Sequence, residues 1–187
     1  MNTAMDETTF TGIVIKELQD SLGSIGEEEL SAVTDMLDIK GRIFCDGAGR
    51  SGLQAKGFAM RLVQMGFCAV VVGEATAPAI GEGDILLVCS ASGETPMLVA
   101  HAKKAKMVGA RVLLITAGEN SPLGAICDRK ILIRASSKRQ TTTASVQPMG
   151  SLFEQSVGLL FDILVLHLME KYGISNQDMV SKHANLE

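Results

Sequence analysis

An α/β fold built on a five-stranded parallel sheet is predicted by three observations on the sequence. Five short apolar runs alternate with stretches of helical periodicity, an order that gives a doubly wound parallel sheet with right-handed crossovers. The runs at 69–72 and 84–89 are nearly all apolar, as in strands covered on both faces. Two turns rich in glycine and small hydroxyl residues, at 45–52 and 90–95, each follow a strand-like run and open a helix-like one.

At 187 residues the chain has the size of one domain, able to bury about 70% of the surface its unfolded form exposes. Residues 10–22 carry Phe10, Ile13, Val14, Leu18 and Leu22 at helical spacing, and Gly23 can end that helix. Ser24 or Gly26 starts a second helix through 27–38, whose first-turn glutamates suit the helix dipole. These two precede any strand and are expected as a helical hairpin outside the sheet. Residues 43–46 form the first strand. Ser51 and Gln54 fit a capping box that opens a helix over 51–65. The second and third strands, 69–72 and 84–89, have no good helix between them, so one crossover is irregular. A helix over 95–108 is closed by Gly109, followed by a fourth strand at 112–116, a turn at 121–125 and a fifth strand at 130–134. Residues 135–148 read as a polar loop rich in Thr and Ser. The helix predicted over 151–172 is apolar on more than one face, which predicts burial; in a chain this small, a partner subunit is the simplest cover. A short helix over 175–181 and a tail over 182–187 complete the chain.

Composition narrows the function. Lys+Arg 17 against Asp+Glu 21 leaves a net charge of −4, with no basic stripe for nucleic acid. One Tyr and no Trp argue against base stacking. Residues 1–9 are polar and acidic, unlike a secretory leader. The most apolar stretch, 157–169, is short for a membrane span and contains Asp162 and His167. Cys45, Cys68, Cys89 and Cys127 lack C-x-x-C pairing and are expected as buried, reduced thiols of a cytoplasmic protein.

In an open parallel sheet a ligand binds beyond the carboxyl ends of the strands, where strand order reverses. For the order 2-1-3-4-5, that point lies between the first and third strands. Both are followed by hydroxyl-bearing turns: Gly47, Gly49, Arg50 and Ser51 in one, Ser90, Ser92, Gly93 and Thr95 in the other. Glycine admits close backbone approach, and helix starts offer free N–H groups to an anion. A phosphorylated small molecule is the expected ligand. Gly47, Gly49 and Gly52 also fit the dinucleotide pattern G-x-G-x-x-G, with Glu74 near the place of a ribose acid. That reading puts Glu74 past the second strand's end and leaves the second turn without a role.

Gly-Ala-Gly-Arg-Ser-Gly (47–52) together with Ser-Ala-Ser-Gly-Glu-Thr (90–95) resembles the sugar isomerase (SIS) domain, a phosphosugar-binding fold of the flavodoxin-like type. Residues 58–62, the run 147–155 from Gln147 to Gln155, and the terminus 183–187 resemble the 6-phospho-3-hexuloisomerases within it. The resemblance implies an N-terminal helical segment (1–40) packed on a SIS domain (41–187). It implies interconversion of D-arabino-3-hexulose 6-phosphate and D-fructose 6-phosphate through an enediol, in the ribulose monophosphate route of formaldehyde fixation. It also implies a homotetramer with shared active sites and no cofactor, and three scattered histidines without clustered carboxylates argue against a metal site. Ser51, Ser90, Ser92 and Thr95 match phosphate-binding positions, and Gly47, Gly49, Arg50, Gly93 and Gln147 are further substrate-side candidates. Glu154 matches the catalytic glutamate. Its place in the first turn of an apolar helix sets desolvation, which favours the neutral form, against the helix dipole, which favours the charged one. His183 corresponds to a histidine that helps open the sugar ring from an adjoining subunit. Ala91 departs from the family, where many members carry an amide. Another phosphosugar isomerase, such as one acting on arabinose 5-phosphate, and a non-catalytic phosphosugar regulator are the alternatives. His101 and His167, predicted within helices, are set aside.

Overall fold

The computed structural model describes residues 8–135 and 145–186. The polar, acidic stretch 1–9 and the polar loop 135–148 fall largely outside the described residues, as does Glu187. The elements run α1 (Phe10–Leu22), α2 (Glu27–Met36), β1 (Arg42–Gly47), α3 (Gly49–Met65), β2 (Cys68–Val71), β3 (Ile85–Cys89), α4 (Pro96–Met107), β4 (Arg111–Thr116), β5 (Arg129–Leu132), α5 (Ser151–Tyr172) and α6 (Asn176–Ser181).

All strands pair in parallel in the order β2-β1-β3-β4-β5. Side chains alternate across the sheet, so each strand feeds two cores. Ile43, Cys45, Ile85, Leu87, Leu113 and Ile115 face α3 and α5, whereas Phe44, Leu86, Val88, Val112 and Leu114 face α4. The crossover from β2 to β3 carries no helix. Asp84 secures it, accepting from Arg42 Nε at 2.9 Å, Arg42 Nη2 at 2.6 Å and the Gly81 amide at 2.7 Å.

α1 and α5 occupy the expected spans, because Gly23 and Gly173 follow them. Gly173 is left-handed at φ 63°, a conformation glycine adopts without a β-carbon penalty. α3 starts two residues earlier than expected, with Ala48 as N-cap and no side-chain cap bond. The capping box of Ser51 and Gln54 is therefore absent. Ser51 instead lies within the first helical turn, its hydroxyl free for another partner.

α5 is 22 residues long, so length alone does not exclude a membrane span, contrary to the sequence expectation. Its location does: Phe153, Val157, Leu160, Leu164 and Leu168 are buried in the larger core, and Phe161 stacks on Phe58 of α3 with centroids 4.3 Å apart. Much of its cover thus comes from the same chain, while Leu159 and Leu166 remain exposed. The cysteines are free thiols, but only Cys45 and Cys89 are buried. Cys68 is exposed because it opens the edge strand β2, which is covered less fully than β3.

Candidate active site

The register pairs Gly47 with Cys89, the last residues of β1 and β3. Both hydroxyl-bearing turns therefore leave the sheet side by side. Between them lies a cavity of about 550 Å³ lined by Ala48, Gly49, Ser51, Cys89, Ser90, Ala91, Ser92, Glu94, Thr95, Pro96, Leu98, Gly150 and Glu154. α3 and α4 point their N-termini at it, so partial positive charge and unpaired amides converge there. The Ser90 hydroxyl accepts from the Gly93 amide at 3.2 Å and that of Ser92 from the Glu94 amide at 3.3 Å. Each still has a proton to donate to an anion. Thr95 is the N-cap of α4, yet its side chain makes no cap bond.

α5 supplies the opposite wall. Its fourth residue, Glu154, is buried at 5% exposure on an otherwise largely apolar helix. Arg50 Nη1 donates to Ser151 Oγ at 3.0 Å and stands 2.9 Å from Glu154 Oε2. Apart from that ion pair, Oε2 is buried without a hydrogen bond. A carboxylate held in that state can accept a proton from a ligand in the cavity. Cys89 on the floor is no rival nucleophile. Burial, with the charges of Cys45 and Asp46 beside it, pushes its thiol well above the ordinary value, and burial lifts Cys45 to about 12.

A family model for the SIS domain matches residues 36–158, which hold both turns and Glu154. The chain belongs to the SIS-domain family. A curated protein of Bacillus subtilis (strain 168) named 3-hexulose-6-phosphate isomerase is 42% identical over 185 residues, covering 98% of this chain and 100% of the relative. A protein of the same name from Mycobacterium gastri is 36% identical, covering 97% and 92%. A solved Methanococcus jannaschii structure, described as inferring a molecular function of 3-hexulose-6-phosphate isomerase, matches with a TM-score of 0.80 at 26% identity. It covers 95% of this chain and 96% of that one.

Of the residues expected at this SIS site, Gly49, Ser51, Ser90, Ser92, Thr95 and Glu154 line the cavity. Gly47 and Gly93 shape it from behind. A β-carbon at Gly93, which sits at φ 65°, would lie 2.2 Å from Ser121 Oγ. Arg50 reaches the site through Glu154. Gln147 does not line the cavity; its Nε2 donates to Glu17 Oε2 at 3.0 Å. His183 is exposed and follows α6, which packs on α3. The neighbouring Lys182 ammonium lies 2.9 Å from where a Gly66 β-carbon would be, at the far end of α3. That helix has 17 residues, about 25 Å, so His183 stands a helix length from its own chain's cavity.

Glu94, Gly150 and Ala48 line the cavity although none was singled out from the sequence. Glu94 lies inside the second turn, where its position alone could have marked it. Glu74, the acid of the dinucleotide pattern, pairs with Lys56 at 2.9 Å on the surface. His101 Nδ1 lies 2.8 Å from Asp46 Oδ2, which ties α4 to the end of β1. Among the described residues, no three His, Cys, Asp or Glu side chains gather as metal ligands do.

Proposed function

We propose that this SIS protein is a 6-phospho-3-hexuloisomerase interconverting D-arabino-3-hexulose 6-phosphate and D-fructose 6-phosphate. The observation that carries the reading is the buried Glu154 carboxylate, held by Arg50, across the cavity from a cluster of hydroxyls at two helix N-termini. The identity to relatives bearing that name supports the choice of substrate.

Ser51, Ser90, Ser92 and Thr95 donate to the phosphate, aided by the amides of α3 and α4, with Gly49 leaving the backbone room to approach and Gly47 and Gly93 letting the turns pack closely behind it. Glu154 then takes the C2 proton of the hexulose while the C3 carbonyl oxygen gains a proton, giving an enediol. The O2 proton leaves, C2 becomes the carbonyl, and C3 receives a proton to give fructose 6-phosphate. Arg50 steadies the Glu154 carboxylate between these steps. His183, carried in from a neighbouring subunit, shuttles protons at the oxygens and, in the reverse direction, opens the ring of fructose 6-phosphate. No step calls for a cofactor or metal.

The His183 placement supports a homotetramer with shared sites, as do the exposed Leu53, Met60 and Val63 of α3 and Leu159 of α5. Residues 1–40 and 41–187 act as one unit in it. The physiological role is formaldehyde fixation through ribulose monophosphate, in the cytoplasm. The test is a coupled assay in which a synthase converts formaldehyde and ribulose 5-phosphate to the hexulose ester and fructose 6-phosphate is followed, with arabinose 5-phosphate assayed in parallel. Turnover of the hexulose ester alone is expected. Turnover of arabinose 5-phosphate alone moves the assignment to another isomerase, and tight binding without turnover moves it to a regulator.

A further inference from the structure

The chain segment that delivers Glu154 to the cavity is fastened by a helix outside the SIS match. Glu17, on α1, accepts from Ser145 Oγ at 2.8 Å, the Val146 amide at 2.9 Å and Gln147 Nε2 at 3.0 Å. Three donors on consecutive residues thus close on one carboxylate. One helical turn further along α1, Ser156 Oγ of α5 donates to Ser21 Oγ at 3.0 Å, and both hydroxyls are buried. α1 therefore grips the chain on both sides of Glu154.

Between the two grips the backbone is held against its preference. Met149 sits at φ 61°, a left-handed conformation disfavoured for a residue with a β-carbon. Such a state persists where its surroundings over-determine it. Downstream it is fixed by the Ser151 amide donating to Pro148 O at 3.2 Å and the Glu154 amide to Gly150 O at 3.0 Å. Upstream, the fixing group is Glu17.

We infer that Glu17 is a positioning residue: by clamping residues 145–147 it sets the entry of α5, and so the depth at which Glu154 meets the substrate. α1 then serves as a brace for proton transfer rather than as mere cover. The inference rests on the isomerase reading for its effect on turnover, but not for its effect on the segment itself.

The test uses the full-length protein and the variants Glu17→Ala, Glu17→Gln and Gln147→Ala, read by steady-state kinetics on fructose 6-phosphate and by amide hydrogen exchange. A misplaced catalytic group lowers turnover more than binding, so Glu17→Ala is expected to lower kcat about tenfold with KM within about twofold. Glu17→Gln, which keeps one acceptor oxygen, falls between wild type and Glu17→Ala. Gln147→Ala, made from the other side of the contact, adds little further loss when combined with Glu17→Ala. Exchange across 145–155 speeds up in Glu17→Ala while β3 and β4 keep their protection. Unchanged kcat with unchanged exchange over 145–155 overturns the inference. So does a loss of protection spread evenly over the sheet, which marks a merely structural residue. If the wild-type protein fails to convert the sugar phosphate, the isomerase reading falls and the exchange pattern alone decides the clamp.

Discussion

A β-carbon on Gly52 would lie 2.4 Å from the carbonyl oxygen of Gly47. The end of β1 and the first turn of α3 thus meet backbone to backbone, and this contact sets how far the α3 N-terminus stands from the Ser90 turn. Gly52→Ala is expected to force the two apart, costing about 1–3 kcal/mol as overpacking does. It should also weaken sugar-phosphate binding. Chemical denaturation and a fructose 6-phosphate titration of the same variant measure both effects.

Ser92→Ala removes one hydroxyl from the proposed phosphate seat without emptying a core position, since Ser92 is partly exposed. A hydrogen bond to a charged group is worth about 1.5–3 kcal/mol, so KM for the sugar phosphate should rise by about tenfold or more. Ser90→Ala should do the same at a larger cost in stability, because Ser90 is buried and also accepts from the Gly93 amide. Steady-state kinetics and thermal midpoints separate the two contributions. Unaltered KM in both variants would remove this turn from the phosphate site.

His183 makes a prediction about assembly. If it serves a neighbouring cavity, Glu154→Gln and His183→Ala are each inactive alone, yet refolding them together restores some sites with both residues intact. Random mixing of equal amounts gives about a quarter of wild-type activity when each site draws on two chains. No recovery on mixing would put His183 outside the shared site.

The Glu17 carboxyl carries a pH signature. Burial pushes it up, but the bonds from Gln147, Val146 and Ser145 together outweigh burial and hold it below the ordinary value. A depressed folded-state value stabilises the protein above the unfolded carboxyl value, about 4.3, and that contribution fades as pH falls through the folded one. Wild type should therefore exceed Glu17→Gln in thermal midpoint at neutral pH, with the gap closing in acid. Asp128 is depressed too, because Lys106 and the Val112 amide outweigh the burial that raises it, and it is intact in both proteins. A gap that stayed constant with pH would contradict the Glu17 assignment.

Much of this molecule could be read in the residues themselves because its signals are local. Gly23 and Gly173 mark the ends of α1 and α5, and the apolar run 85–89 announces a central strand. The meeting of the two turns was also legible given the order 2-1-3-4-5, which sets the first and third strands side by side. What stayed hidden depends on contacts between distant residues. Glu17 lies 128 positions from Ser145, and nothing near it in the chain distinguishes it from any exposed helical glutamate. Arg50 stands in the first turn as a substrate-side candidate, but its bond to Ser151, 101 positions on, has no local signal. The start of α3 was misplaced because Ser51 and Gln54 mimic a cap, while the helix in fact begins from Ala48.

The proton-moving role of Glu154 is the claim on which the others turn, and Glu154→Gln tests it most directly. The variant keeps the shape of the side chain but cannot take a proton from carbon. The reading predicts that its rate of fructose 6-phosphate isomerisation falls by about 10²–10⁴-fold, with affinity for the sugar phosphate, titrated on the same sample, close to wild type. Turnover at the wild-type rate would contradict it.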